Sequence, residues 1–77
     1  MSLNVPHNRD AALGAIRQAI KAVAQAVDER ELEGRARLAD DLITDCCSAG
    51  RIDEDDLPDL KLELALTARK RLQHLRP

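Results

Sequence analysis

An all-α fold follows from three properties of this 77-residue chain. Twelve Leu and twelve Ala stand against four Ile, three Val and no Phe, Tyr or Trp, so strand-forming residues are scarce and helix formers dominate. Apolar residues recur at spacings of three and four, the period of one helix face. Leu, Ile and Val together make up about a quarter of the chain, above the range of intrinsic disorder. The prediction is a small helical hairpin or three-helix unit over residues 9–77, completed by homodimerisation and preceded by a short lead-in over residues 1–8 that contains Pro6 and no periodicity.

The first helix is expected over residues 9–27. Asn8 or Asp10 serves as its N-cap, and Leu13, Ile16, Ile20, Val23 and Val27 form one stripe. Beside that stripe Ala15, Ala19, Ala22 and Ala26 repeat at the same spacing. Small side chains there let a second backbone approach closely, although alanine also fills helices simply because it is the best helix former.

A second helix is expected over residues 29–49, with apolar residues Leu32, Leu38, Ala39, Leu42, Ile43 and Cys46. In one straight rod this set would lie about 110° around the cylinder from the first stripe, which favours a break near Asp28–Gly34. Asp28-Glu29-Arg30-Glu31 supplies a start resembling a capping box. Neither Gly nor Pro separates the two segments, so one bent helix over residues 9–49 is the alternative. The second helix should stop at Ser48-Ala49-Gly50, where glycine suits a left-handed residue just past the end and Ile52 folds back onto the last turn.

An acidic connection, Asp53 to Asp59, leads to a third helix over residues 58–75, with Pro58 at a natural starting position. Leu60-Lys61-Leu62-Glu63-Leu64-Ala65-Leu66 alternates like a strand, but its residues are strong helix formers. On a helix with Leu60 at 0°, Leu57, Leu64, Ala68, Leu72 and Leu75 fall between about 40° and 120°, while Leu62 and Leu66 fall near about 200° and 240°. This helix is apolar on two sides, and one chain of this size covers one of them. Leu60, Leu62, Leu64 and Leu66 are therefore the first candidate interface, and the alanine seam of helix one, Ala15, Ala19, Ala22 and Ala26, is the second.

The net charge of −2 hides a segregation. Residues 1–27 carry +2, residues 28–63 carry −8 from thirteen acids and five bases, and residues 64–77 carry +4 from Arg69, Lys70, Arg71 and Arg76. The basic end is expected to lie along the acidic middle of the same or a neighbouring copy. Arg69, Lys70, Arg71 and Arg76 are also the candidate contact for a polyanion. Basic residues at a helix C-terminus are expected from the dipole alone, however, and a pI near 5.6 disfavours strong non-specific DNA binding. Without aromatic rings there is no platform on which single-stranded bases stack.

Chemistry finds little support. Asp53-Glu54-Asp55-Asp56 lacks the glycine, the alternation and the terminal Glu of a calcium loop, and suits a helix N-terminus instead. Cys46 and Cys47 are adjacent on a helix, pointing about 100° apart, and His7 and His74 sit near opposite ends, so zinc-ligand spacing is missing. The two thiols are expected to be reduced. Phosphate loop, nucleophile elbow and an oriented base are all lacking, so neither enzymatic activity nor a cofactor or metal is expected.

With no basic and apolar leader and no run of about 18 apolar residues, the chain reads as cytoplasmic, and membrane association is not expected. The functional expectation is a small protein–protein interaction module, a regulator, adaptor or chaperone-like binder. Its partners would be itself and a further protein, through an apolar helical surface. The alternatives are a nucleic-acid-associated regulator using the basic helix end in a dimer, and a self-assembling structural subunit.

Overall fold

The computed structural model describes residues 8–76, and three helices fill most of that span: α1 (Arg9–Ala24), α2 (Glu29–Ser48) and α3 (Asp56–Leu75). Residues 9–49 are thus two helices, not one bent one. Each helix packs against the other two. Arg9, at the start of α1, reaches Asp56, at the start of α3, while Arg76, just past the end of α3, reaches Glu29, at the start of α2. α1 and α3 therefore run in the same direction and α2 runs against both.

The starts follow local chemistry. Asn8 is the N-cap of α1, its Oδ1 accepting from the Ala11 N–H at 2.8 Å. Asp28 caps α2 in the same way, accepting from the Glu31 N–H at 2.7 Å. The capping box is only half made, because Glu31 turns forward to Arg35 one turn on, at 2.6 Å. α3 begins two residues earlier than predicted, so Pro58 falls in its first turn, where an N–H has no helical partner to lose. The Asp56 carboxylate reaches back and accepts from the Asp53 N–H at 3.1 Å, closing the turn that leads in.

The end of α2 is a Schellman motif. Gly50 takes φ +73°, its N–H donates to the Cys47 carbonyl at 3.0 Å, and the Arg51 N–H donates to the Cys46 carbonyl at 2.9 Å. Ile52 then folds into the core as expected.

α1 ends differently and three residues sooner than predicted. Gln25 and Ala26 donate to Ala22 and Val23 at 3.2 Å each, tightening the last turn without a glycine. Two carbonyls at this end are held by arginines from the other helices: Arg35 Nη1 donates to the Ala22 carbonyl and Arg71 Nε to the Ala26 carbonyl, both at 2.7 Å.

The core is wholly aliphatic apart from one thiol: Ala12, Ile16, Ile20 and Val23 from α1, Leu32, Ala39, Ile43 and Cys46 from α2, Leu60 and Leu64 from α3, with Ala26 and Ile52 from the connections. No polar or charged residue is buried among the described residues. Each fully buried isoleucine contributes about 1.5–3 kcal/mol through burial.

Two expected core residues lie outside it. Val27 is 69% exposed, because α1 stops at Ala24 and the residue leaves the stripe's geometry. Leu38 is 68% exposed, lying about 120° around α2 from Leu32. Ala12 takes the fully buried place beside Ile16, while Leu13 is half-buried.

Candidate functional site

α3 is the least anchored helix. It contributes two buried residues, where α1 and α2 contribute four each. Leu60 and Leu64 fill the intramolecular core, and Leu57, Ala68, Leu72 and Leu75 pack half-buried around its edge. Of the four leucines predicted as an interface, Leu60 and Leu64 are therefore used within the chain. Leu62 and Leu66 remain at 57% and 55% exposed, one turn apart on the outer face.

The alanine seam is partly used within the chain. Ala26 is fully buried, Ala19 packs against the core, and Ala15 and Ala22 are half-buried. The Arg35 bond to the Ala22 carbonyl ties this side of α1 to α2.

The basic cluster divides. Arg71 is half-buried and holds the Ala26 carbonyl, and Arg76 Nε lies 3.3 Å from Glu29 Oε1. Arg69 and Lys70 are exposed and take part in no side-chain hydrogen bond or ion pair among the described residues. The expected approach of the basic end to the acidic middle occurs within one chain, through Arg76 and Glu29. Lys61 likewise reaches Asp40 and lies 3.2 Å from Thr44 Oγ1, crossing from α3 to α2.

At the other end Arg9 grips the Asp56 carboxylate with both terminal nitrogens, and Asp53 lies 3.8 Å from the same guanidinium. The pair raises the Arg9 pKa and lowers that of Asp56, whose carboxylate is further favoured by the Asp53 N–H.

Cys46 is fully buried and Cys47 half-buried, both as free thiols, and burial pushes the Cys46 thiol up. His74 is exposed on α3, and His7 lies outside the described residues. Among the described residues no three His, Cys, Asp or Glu side chains come together as a metal site.

Two open hollows flank α3. One of about 350 Å³ is lined by Ala24, Thr67, Lys70, Arg71 and His74. The other, about 380 Å³, runs between the start of α2 and the end of α3. Both are open grooves beside helix ends, lined by apolar and charged side chains together.

The arginine contacts to Ala22 and Ala26 carry no sequence signal, because their partners are main-chain carbonyls 13 and 45 residues away. Ala12 was legible as one step before Ile16, Ile20 and Val23 in the same stripe. No helix among the described residues is long and apolar enough to cross a membrane. No protein-family model, curated protein or solved structure matches the chain.

Proposed function

We propose that this chain is a small, non-enzymatic protein–protein interaction module of the cytoplasm, a regulator, adaptor or chaperone-like binder that acts through the outer face of α3. Self-association through that face is one form of the activity. The observation that carries the reading is the pair of neighbouring leucines, Leu62 and Leu66, each more than half exposed on a helix whose other side already fills the core. An exposed pair at i and i+4 on a helix is the kind of anchor that docks against another helix or groove. A polyanion-binding reading draws less support, since Arg71 and Arg76 are engaged inside the chain.

The test is capture from native extract by immobilised chain, with Leu62→Glu plus Leu66→Glu as the variant. Leu38→Glu is the control, because it charges an exposed leucine on α2. A saturable partner retained by wild type and by the control but lost by the double variant is the expected result. Identical capture by all three chains refutes the reading.

A further inference from the structure

We propose that the occupant of α3's outer face is a second copy of α3, packed antiparallel about a two-fold axis passing midway between Leu62 and Leu66. This deepens the interaction-module reading and rests on it. Asp55, Asp59, Leu62, Leu66, Arg69 and Gln73 follow one another at spacings of four, three, four, three and four, the rhythm of a helix–helix seam. At about 100° per residue all six stay within roughly 80° of the helix circumference. All six are exposed, and none makes a side-chain hydrogen bond or ion pair among the described residues.

Glu63 and Lys70, at the rim of this seam, are likewise without a side-chain partner among the described residues. Asp56, Lys61, Arg71 and Arg76, on other sides of α3 or at its end, all have partners within the chain. The seam reads acid, acid, leucine, leucine, base, amide, and it is complementary to its own reverse. With a second copy laid antiparallel, Leu62 faces the second copy's Leu66, Asp59 faces its Arg69, and Asp55 faces its Gln73. The two-fold axis makes each of these contacts twice. In a parallel pair Asp59 would face Asp59 and Arg69 would face Arg69, so charge selects the antiparallel direction. Glu63 and Lys70 lie at one rim, where they remain solvated.

One seam on a 20-residue helix, about 30 Å long, is smaller than a standard protein interface. The pair is therefore a weak, reversible one, with a dissociation constant on the order of micromolar or above.

Sedimentation equilibrium of the purified full chain, from about 1 μM to about 1 mM, tests it. The expected result is a mass rising toward the dimer, with Leu62→Glu plus Leu66→Glu monomeric throughout. Asp59→Arg and Arg69→Asp, each alone, should weaken association roughly tenfold, because each replaces two opposite-charge contacts by like-charge ones. An equal mixture of these two variants should recover wild-type affinity to within about threefold, since both charge–charge contacts across the mixed pair again join opposite charges. The chain carrying both changes should recover likewise, and far-UV circular dichroism establishes that each variant keeps its helices.

A wild type that stays monomeric throughout overturns the proposal. So do single-charge variants that associate like wild type, the result a parallel pair or another face would give. A monomeric chain that still captures a different protein through Leu62 and Leu66 overturns the second copy as occupant while leaving the interaction-module reading standing.

Discussion

Replacing each glycine with alanine, one at a time, separates backbone conformation from space. A Cβ added at Gly14, Gly34 or Gly50 meets no atom within 4 Å, so crowding is the same at all three sites. Only Gly50 has positive φ, at 73°. Placing an L side chain in the left-handed region costs roughly 1–2 kcal/mol. Narrowing the unfolded ensemble offsets about 0.4–1 kcal/mol of that cost. Gly50→Ala should therefore destabilise by about 1 kcal/mol, which for a domain of this size lowers Tm by roughly 4–8 °C.

Gly14 and Gly34 lie exposed inside α1 and α2, where alanine is favoured by roughly 0.5–1 kcal/mol, so their substitution should raise stability by about as much. The assay is urea unfolding followed by far-UV circular dichroism at one fixed protein concentration, because association would otherwise add to the apparent stability. The chain has no aromatic residue to report by fluorescence. A neutral or stabilising Gly50→Ala, or a loss at Gly34 as large as at Gly50, would refute the assignment of the α2 stop to a left-handed glycine.

Arg71→Met keeps much of the side chain's apolar stem but removes the donor to the carbonyl of fully buried Ala26, and should cost about 1–3 kcal/mol in urea unfolding. Exposed Arg69→Met serves as the comparison and should change stability by less than about 0.5 kcal/mol. The Asp56 pKa is lowered in the folded chain, so the stability it contributes is fully present above the ordinary carboxylate value of 3.8 and is lost as pH falls through the lower folded value. Unfolding midpoints measured down the acid range should fall less steeply for Asp56→Asn than for wild type, and an unchanged slope would count against the Arg9 pair. Buried Cys46 should react with a thiol reagent only on unfolding, while half-buried Cys47 reacts in the native state; two equal fast phases would contradict this placement.

The candidate face was partly legible. The alternation from Leu60 to Leu66, laid on a helix, separates Leu60 and Leu64 from Leu62 and Leu66 by angle alone. It does not say which pair the core takes. Packing against α1 and α2 decided that Leu60 and Leu64 go inside. Which basic residues remain available was also invisible in the sequence, because adjacent Lys70 and Arg71 look alike until one of them finds the Ala26 carbonyl.

The ends of α1 and α2 show how local sequence and tertiary structure share the work. The stop of α2 is written in Gly50, since the required left-handed backbone is a property of that residue and its neighbours. The helical class and the start of α2 at Asp28 were likewise legible, because periodicity and side-chain-to-backbone bonds act within a few residues, whereas the choice of Asn8 over Asp10 and of two helices over one bent one was left to the fold. α1 has no such stop signal, and its stripe continues through Val27 in sequence. It ends at Ala24 in the folded chain, where Arg35 and Arg71, brought from α2 and α3 by packing of the core, hold the Ala22 and Ala26 carbonyls beside that end. Helix ends leave carbonyls that need donors; at this end the local N–H groups of Gln25 and Ala26 supply two and the tertiary fold adds Arg35 and Arg71, so local and tertiary donors together set where the helix stops.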